Sequence, residues 1–257
     1  MTALIEVAHI TKSYGGVKGS DQVPFVAIGG ANLSVNQGEF VSILGPSGCG
    51  KSTLLDIIAG LESATTGKIT VEGEILNGPH PKMAMVFQQM SLFPWRTALA
   101  NVELGLEFRG VDALDRRRTA LEMINLVGLK GFEDKFPREL SGGMCQRLAI
   151  ARALALDPDI LLMDEPFGAL DEQTRRLMGL ELLRIWDRTR KTIIFVTHSI
   201  EEAIQLSDRI LLMSARPSRI RDEFVVPLKR PRTMESLASE ERNQIEKRIW
   251  HALMEEV

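Results

Sequence analysis

Residues Gly45-Pro46-Ser47-Gly48-Cys49-Gly50-Lys51-Ser52-Thr53 constrain this chain more than any other stretch. An apolar run, Phe40 to Leu44, precedes them, and an apolar helical pattern, Leu54, Leu55, Ile57 and Ile58, follows. Strand, glycine loop, helix is the context that gives G-x-x-x-x-G-K-[ST] its physical meaning. Glycines let the backbone bend until several N–H groups converge on one anion. The helix that starts near Lys51 adds the positive end of its dipole. Lys51 supplies a mobile charge for the outer phosphates, and Ser52 offers a hydroxyl to a magnesium ion. The stretch therefore predicts a site for a nucleoside triphosphate with Mg²⁺.

The composition narrows what surrounds that site. The chain has 257 residues, 44% hydrophobic and 25% charged, which suits one large or two small cores. Its formal net charge of −3 gives no global basic field for nucleic acid. No apolar run approaches the ~20 residues of a membrane helix, and the first residues show no secretory signal pattern. Cys49 and Cys145 do not suggest a disulfide framework. These features predict a cytoplasmic protein.

Residues 4–10 alternate and read as a strand. Tyr14, the only tyrosine, stands just before a glycine-bearing loop over 15–24. Its ring is either packed at a strand end or stacked on a nucleobase. Strands are expected near 25–36, 39–44 and 68–76. Lys82 to Phe87 reads as a buried strand ending at Gln88. The loop Leu92-Phe93-Pro94-Trp95-Arg96 either folds over a small core of its own or offers aromatic anchors to a partner. Residues 97–156 carry helical periodicity and no strand signal, so they predict a helical insertion in an α/β core.

Inside that insertion, Leu140-Ser141-Gly142-Gly143 precedes a helix expected over Gln146 to Leu156, with Ser141 as a candidate N-cap. A hydroxyl and two glycines at a helix start suit an anion. Ile160 to Met163 reads as a buried parallel strand ending in Asp164-Glu165. One carboxylate can hold Mg²⁺ and the other can orient or deprotonate a water. A helix is expected over 172–190, a strand over Ile193 to Thr197 with His198 at its end, a helix over 200–206 and a strand over 209–213. The arginine-rich stretch 216–232 reads as a solvated surface or, as the alternative, a contact for acidic lipid headgroups or a partner. A charged helix over 235–256 follows, with Ile245, Ile249 and Leu253 on one stripe.

Tyr14, Gly45–Thr53, Gln88, Leu140–Gly143, Asp164-Glu165, Asp171 and His198, in this order, resemble the motifs of the ATP-binding cassette family over about residues 4–215. The resemblance implies an α/β nucleotide-binding core of the P-loop, RecA-like kind, with an antiparallel β subdomain and an inserted α-helical subdomain. It divides the chain into a core over 1–87 and 157–215, a helical part over 88–156 and a tail over 216–257. It implies ATP and Mg²⁺ as ligands, and a dimer in which one subunit's Ser141-Gly142-Gly143 covers the nucleotide held by the other's phosphate loop.

The roles follow by position. Tyr14 stacks on adenine, Asp164 and Ser52 serve the metal, and Glu165 is the general base. Gln88 links Mg²⁺ and water to the helical part. Asp171 lies in the loop crossing the dimer interface, and His198 faces the γ-phosphate. Cys145 stands where relatives often carry a basic residue. In such a dimer Cys49 and Cys145 face each other across ATP and are shielded by it, or both are small buried fillers. The Leu92–Arg96 loop, Phe167-Gly168-Ala169-Leu170-Asp171 and Ser214-Ala215-Arg216-Pro217 resemble ATPase subunits of nitrate/sulfonate/taurine-type importers. Their partners are transmembrane permease subunits and, indirectly, a solute-binding protein. An exporter or lipid-handling cassette, or a soluble one acting on nucleic acid, is the alternative.

Overall fold

The computed structural model describes residues 3–15, 24–232 and 237–255. The first half contains β1 (Ile5–Tyr14), β2 (Phe25–Val35), β3 (Phe40–Leu44), α1 (Lys51–Ile58), β4 (Thr66–Val71), β5 (Glu74–Ile75) and β6 (Met83–Val86). Helices α2 (Ala98–Phe108) and α3 (Ala113–Leu126) come next, then a 3-10 turn, Pro137–Glu139, and α4 (Gly142–Leu154). The chain continues with β7 (Ile160–Asp164), α5 (Glu172–Thr189), β8 (Thr192–Thr197), α6 (Ile200–Leu206), β9 (Arg209–Met213) and β10 (Ser218–Val225). The last helix is Glu240–Met254, here α7.

Two compact units result: Met1–His80 with Thr192–Val257, and Pro81–Lys191. In the first unit the strand order is β5-β4-β1-β2-β10-β9-β3-β8. β1, β2, β4 and β5 pair antiparallel, whereas β3 lies parallel to both β8 and β9. β3 and β8 are buried at every position, as expected of strands covered on both faces. In the second unit β7, also wholly buried, lies parallel to β6. There α2, α3 and α4 pack on one another, with Leu99, Val102, Ile124, Leu148 and Ile150 in the core. The helical periodicity of 97–156 marks these helices.

Several expectations need correction. β6 is Met83–Val86, with half-buried and buried positions alternating and Phe87 40% exposed, rather than a buried strand over Lys82 to Phe87. The anion-loop helix α4 begins at Gly142, four residues before the expected start at Gln146, and ends at Leu154 rather than Leu156. Ser141 caps it by accepting from Met144 N at 3.3 Å, which draws both glycines into the first turn. The stretch 216–232 is not simply a solvated surface. Residues 218–225 form β10, antiparallel to β9 and parallel to β2.

Beyond it Arg232 is 6% exposed and donates to the carbonyls of Ile204, Gln205 and Ser207 at the end of α6. Arg230 donates to Leu206 O and Asp208. A helix end leaves carbonyls without intrahelical partners, and these guanidinium groups satisfy them. Burial, aided by the charge of Arg230, lowers the pKa of Arg232 to about 10, so it stays charged at neutral pH.

Val226, Leu228, Ile245 and Ile249 complete an apolar cluster with α6, and Leu253 packs against it. The stripe expected on the terminal helix is therefore its buried face. Residues 235, 236 and 256 of that expected helix, like most of the 15–24 loop, lie outside the described residues, and the helix starts at Glu240, capped by Ser239, rather than at 235. We predict that Arg232→Met, which strands three carbonyls, lowers stability by about 2 kcal/mol. A thermal melt should fall by roughly 4–8 °C.

Candidate functional site

In the first unit the phosphate loop leaves the carboxyl end of β3. Gly48 and Gly50 have φ of +75° and +111°, a region side-chain-bearing residues rarely adopt. Gly50 is the N-cap of α1, so the loop's amides end on a helix dipole. Lys51 is 4% exposed and its Nζ donates to the carbonyls of Gly45 (3.0 Å) and Pro46 (3.1 Å). The ammonium is folded over the loop whose charge it serves. Ser52 is exposed and Thr53 half-buried in the first turn.

β8 pairs with β3 so that Thr197 lies opposite Leu44. His198 and Gly45 therefore leave neighbouring strands at the same sheet edge. Ser199 N donates to Thr197 Oγ1 at 3.0 Å, and Ser199 caps α6 through Glu202 N. These bonds fix the corner that carries the exposed His198.

Tyr14 ends β1. Lys12 places its ammonium 4.8 Å from the ring centroid and is itself tied to Glu62 at 2.5 Å and Ser63 O at 2.7 Å. The bond from Lys12 holds the Glu62 carboxyl below its ordinary pKa. Tyr14 is 39% exposed at the strand end, where the ammonium of Lys12 packs against its ring. Its cross-strand partner is Phe25, 47% exposed.

In the second unit Met163 lies opposite Val86. The next residues, Asp164 and Phe87, then Glu165 and Gln88, leave one sheet edge together. Asp164 is 9% exposed. Glu165 has φ +39°, and Gly168 N donates to its carbonyl at 3.0 Å. A non-glycine residue held there costs on the order of 1 kcal/mol, typical of sites where geometry is imposed. Buried Phe167 pins the turn. Ser141, Gly142 and Gly143 meet the start of α5: a Cβ on Gly142 would lie 3.6 Å from Leu170, and one on Gly143 3.4 Å from Thr174. Asp171 caps α5, accepting from Thr174 N at 3.0 Å, and that bond lowers its pKa.

The Phe93–Trp95 loop divides between its two readings. Phe93 is half-buried and meets Trp95 edge-on at 5.4 Å, while Trp95 is 70% exposed. Asn101, fully buried, holds the loop: its Oδ1 accepts from Phe93 N, and its Nδ2 donates to the carbonyls of Phe93, Arg96 and Thr97. Arg152 of α4 donates to the carbonyls of Met90 and Ser91. Neither side chain stood out in the sequence, where an asparagine and an arginine on helices read as surface.

Both cysteines are buried, and burial raises both thiol pKa values. Cys145 Sγ donates to Pro137 O at 3.4 Å. Their burial agrees with the filler reading. The rest of the set matches the needs of MgATP. The glycine cradle and Lys51 of the first unit suit phosphates; the Ser52 hydroxyl there, and the carboxylates of Asp164 and Glu165 in the second unit, are oxygen donors of the kind Mg²⁺ takes. Among the described residues no group of three or more His, Cys, Asp or Glu forms an all-protein metal cage.

A fold and loop of this kind define a P-loop nucleotide-binding protein. The family model described as ABC transporter matches residues 28–168. A taurine import ATP-binding protein of Rhizobium johnstonii is 51% identical over 198 residues, 77% of this chain and 76% of that one. A nitrate import ATP-binding protein of Synechocystis is 46% identical over 224 residues, 87% of this chain and 83% of that one. A solved dimeric ATP-binding cassette, in a post-hydrolysis state bound to ADP and Pi, aligns with TM-score 0.74 and 36% identity over 86% of this chain and 98% of its own. This chain belongs to the ABC transporter family. It is an ATPase of that type.

Proposed function

We propose that the chain is the ATP-hydrolysing subunit of an importer for small anions of the nitrate, sulfonate and taurine kind. The observation that carries this is the complete phosphate loop, with Lys51 buried over it, in a chain half identical to a taurine import subunit. No helix of the described residues is long and apolar enough to cross a membrane, so transport needs separate permease subunits. A solute-binding protein would feed them, and this subunit would work at the cytoplasmic face of the membrane.

Two copies close on two ATP molecules, as the dimeric neighbour supports. Tyr14 stacks on the base. Residues 45–53 hold the phosphates. Ser52, Gln88 and Asp164 would hold Mg²⁺, which would supply charge neutralisation at the phosphates. Glu165 orients and deprotonates the attacking water, and His198 faces the γ-phosphate. The partner copy's anion loop, of the sequence Ser141–Gly143, covers the nucleotide. Catalysis of this in-line displacement is mainly positioning and charge stabilisation.

The exposed Trp95, on a loop clasped by Asn101 and Arg152, is the anchor offered to the permease. The expected result of Trp95→Ala is an at least fivefold loss of co-purifying membrane chains from detergent extracts, with MgATP binding unchanged, about 1 kcal/mol for one aromatic anchor. Undiminished recovery would remove the loop from this role.

A further inference from the structure

The nucleotide reading leaves Arg216 unused. Arg216 sits between β9 and β10, in the stretch that reads as a solvated tail. Its guanidinium lies 4.8 Å from the centroid of the Phe25 ring. Its Nη2 would be 3.5 Å from a Cβ built on Gly48, so it borders the phosphate loop directly. The same corner backs the loop further along, where Ser218 Oγ donates to Ala27 O and would meet a Cβ on Gly50 at 3.3 Å. Arg216's charge also reaches Cys49 and acts against the effect of burial on that thiol. Among the described residues Arg216 makes no hydrogen bond or ion pair to protein; the aromatic face alone places it.

Stacking fixes a guanidinium plane while leaving its in-plane N–H donors unspent. Those donors match phosphate oxygens and can take two at once. Tyr14 and Phe25 are register partners on β1 and β2, so their side chains share a face. Tyr14, Phe25, Arg216 and Gly48 thus form a line from an aromatic platform to the phosphate loop. We propose that Arg216 is a nucleotide-binding residue, donating to the inner phosphate oxygens that lie between a base at Tyr14 and the outer phosphates at Lys51. The proposal rests on the nucleotide reading of the loop and adds a contact that this reading does not contain.

The test is calorimetric binding of MgADP and of adenosine to the full chain. Arg216→Ala is expected to weaken MgADP by about tenfold at low salt and to leave adenosine unchanged, as one charged bidentate contact would. Arg216→Lys should recover part of the loss, because it restores charge without the fork. Phe25→Leu, which keeps the charge and removes its support, should weaken MgADP by roughly twofold to fivefold.

MgADP affinity within twofold of the parent in both Arg216→Ala and Phe25→Leu would overturn the proposal. So would an equal loss for adenosine, which would make Arg216 part of the base platform only. Lys51→Ala separates the two claims. If it binds MgADP like the parent, the loop reading itself is wrong and Arg216 falls with it. If it loses binding while Arg216→Ala does not, only the Arg216 contact is wrong.

Discussion

Glu165→Gln is expected to bind MgATP within a few-fold of the parent and to lose ~10²–10⁴-fold in turnover, the share usual for a positioned general base. Glutamine keeps the size and the hydrogen-bonding reach of the side chain but cannot take a proton. The backbone there is already committed: Glu165 stands at φ +39°, clasped by Gly168 N and followed by buried Phe167. The substitution therefore changes chemistry without moving the turn. With ATP bound and uncleaved, the closed dimer should persist. Phosphate release and size-exclusion chromatography with MgATP read the two effects separately. Parent-like phosphate release would take the base role away from Glu165 and leave the rest of the site standing.

Lys51→Ala should raise the MgATP dissociation constant about a hundredfold, or ~3 kcal/mol. The size of the effect follows from where the ammonium is. It is 4% exposed and held on the carbonyls of Gly45 and Pro46, so its desolvation is met in the folded chain before nucleotide arrives. The charge then acts on phosphate in a setting of reduced dielectric, where it is worth more than on an open surface. Alanine leaves the backbone amides with no full charge to assist them. Equilibrium dialysis with labelled ATP measures the loss, and a circular dichroism melt confirms that the loop change leaves the fold intact.

The parallel strands and the phosphate loop were legible because their physics is local. A wholly apolar run of five residues, a glycine loop and a helical pattern leave few other arrangements, and Phe40–Thr53 realises the expected one. The placing of Asp164-Glu165 and His198 at the carboxyl ends of buried parallel strands was legible for a related reason, since a short apolar run fixes where such a strand ends. What stayed hidden depends on distant partners. Arg216, Arg230 and Arg232 read as solvated charge. Their meaning comes from Phe25, near the start of the chain, and from Asp208 and the α6 carbonyls, 22 to 28 residues away. Asn101 likewise looks ordinary until the carbonyls of Phe93, Arg96 and Thr97 converge on it.

A nucleotide has a fixed span from base to terminal phosphate, set by covalent bonds. A protein that grips both ends needs a gauge of matching rigidity. In the ladder of the first unit, the antiparallel strands that carry Tyr14 meet the parallel strands that carry the phosphate loop through one intermediary, β10, which joins β2 on one side and β9 on the other. The late segment of the chain is thus the calliper of the early one, and clipping it would leave each jaw built but the opening between them unset.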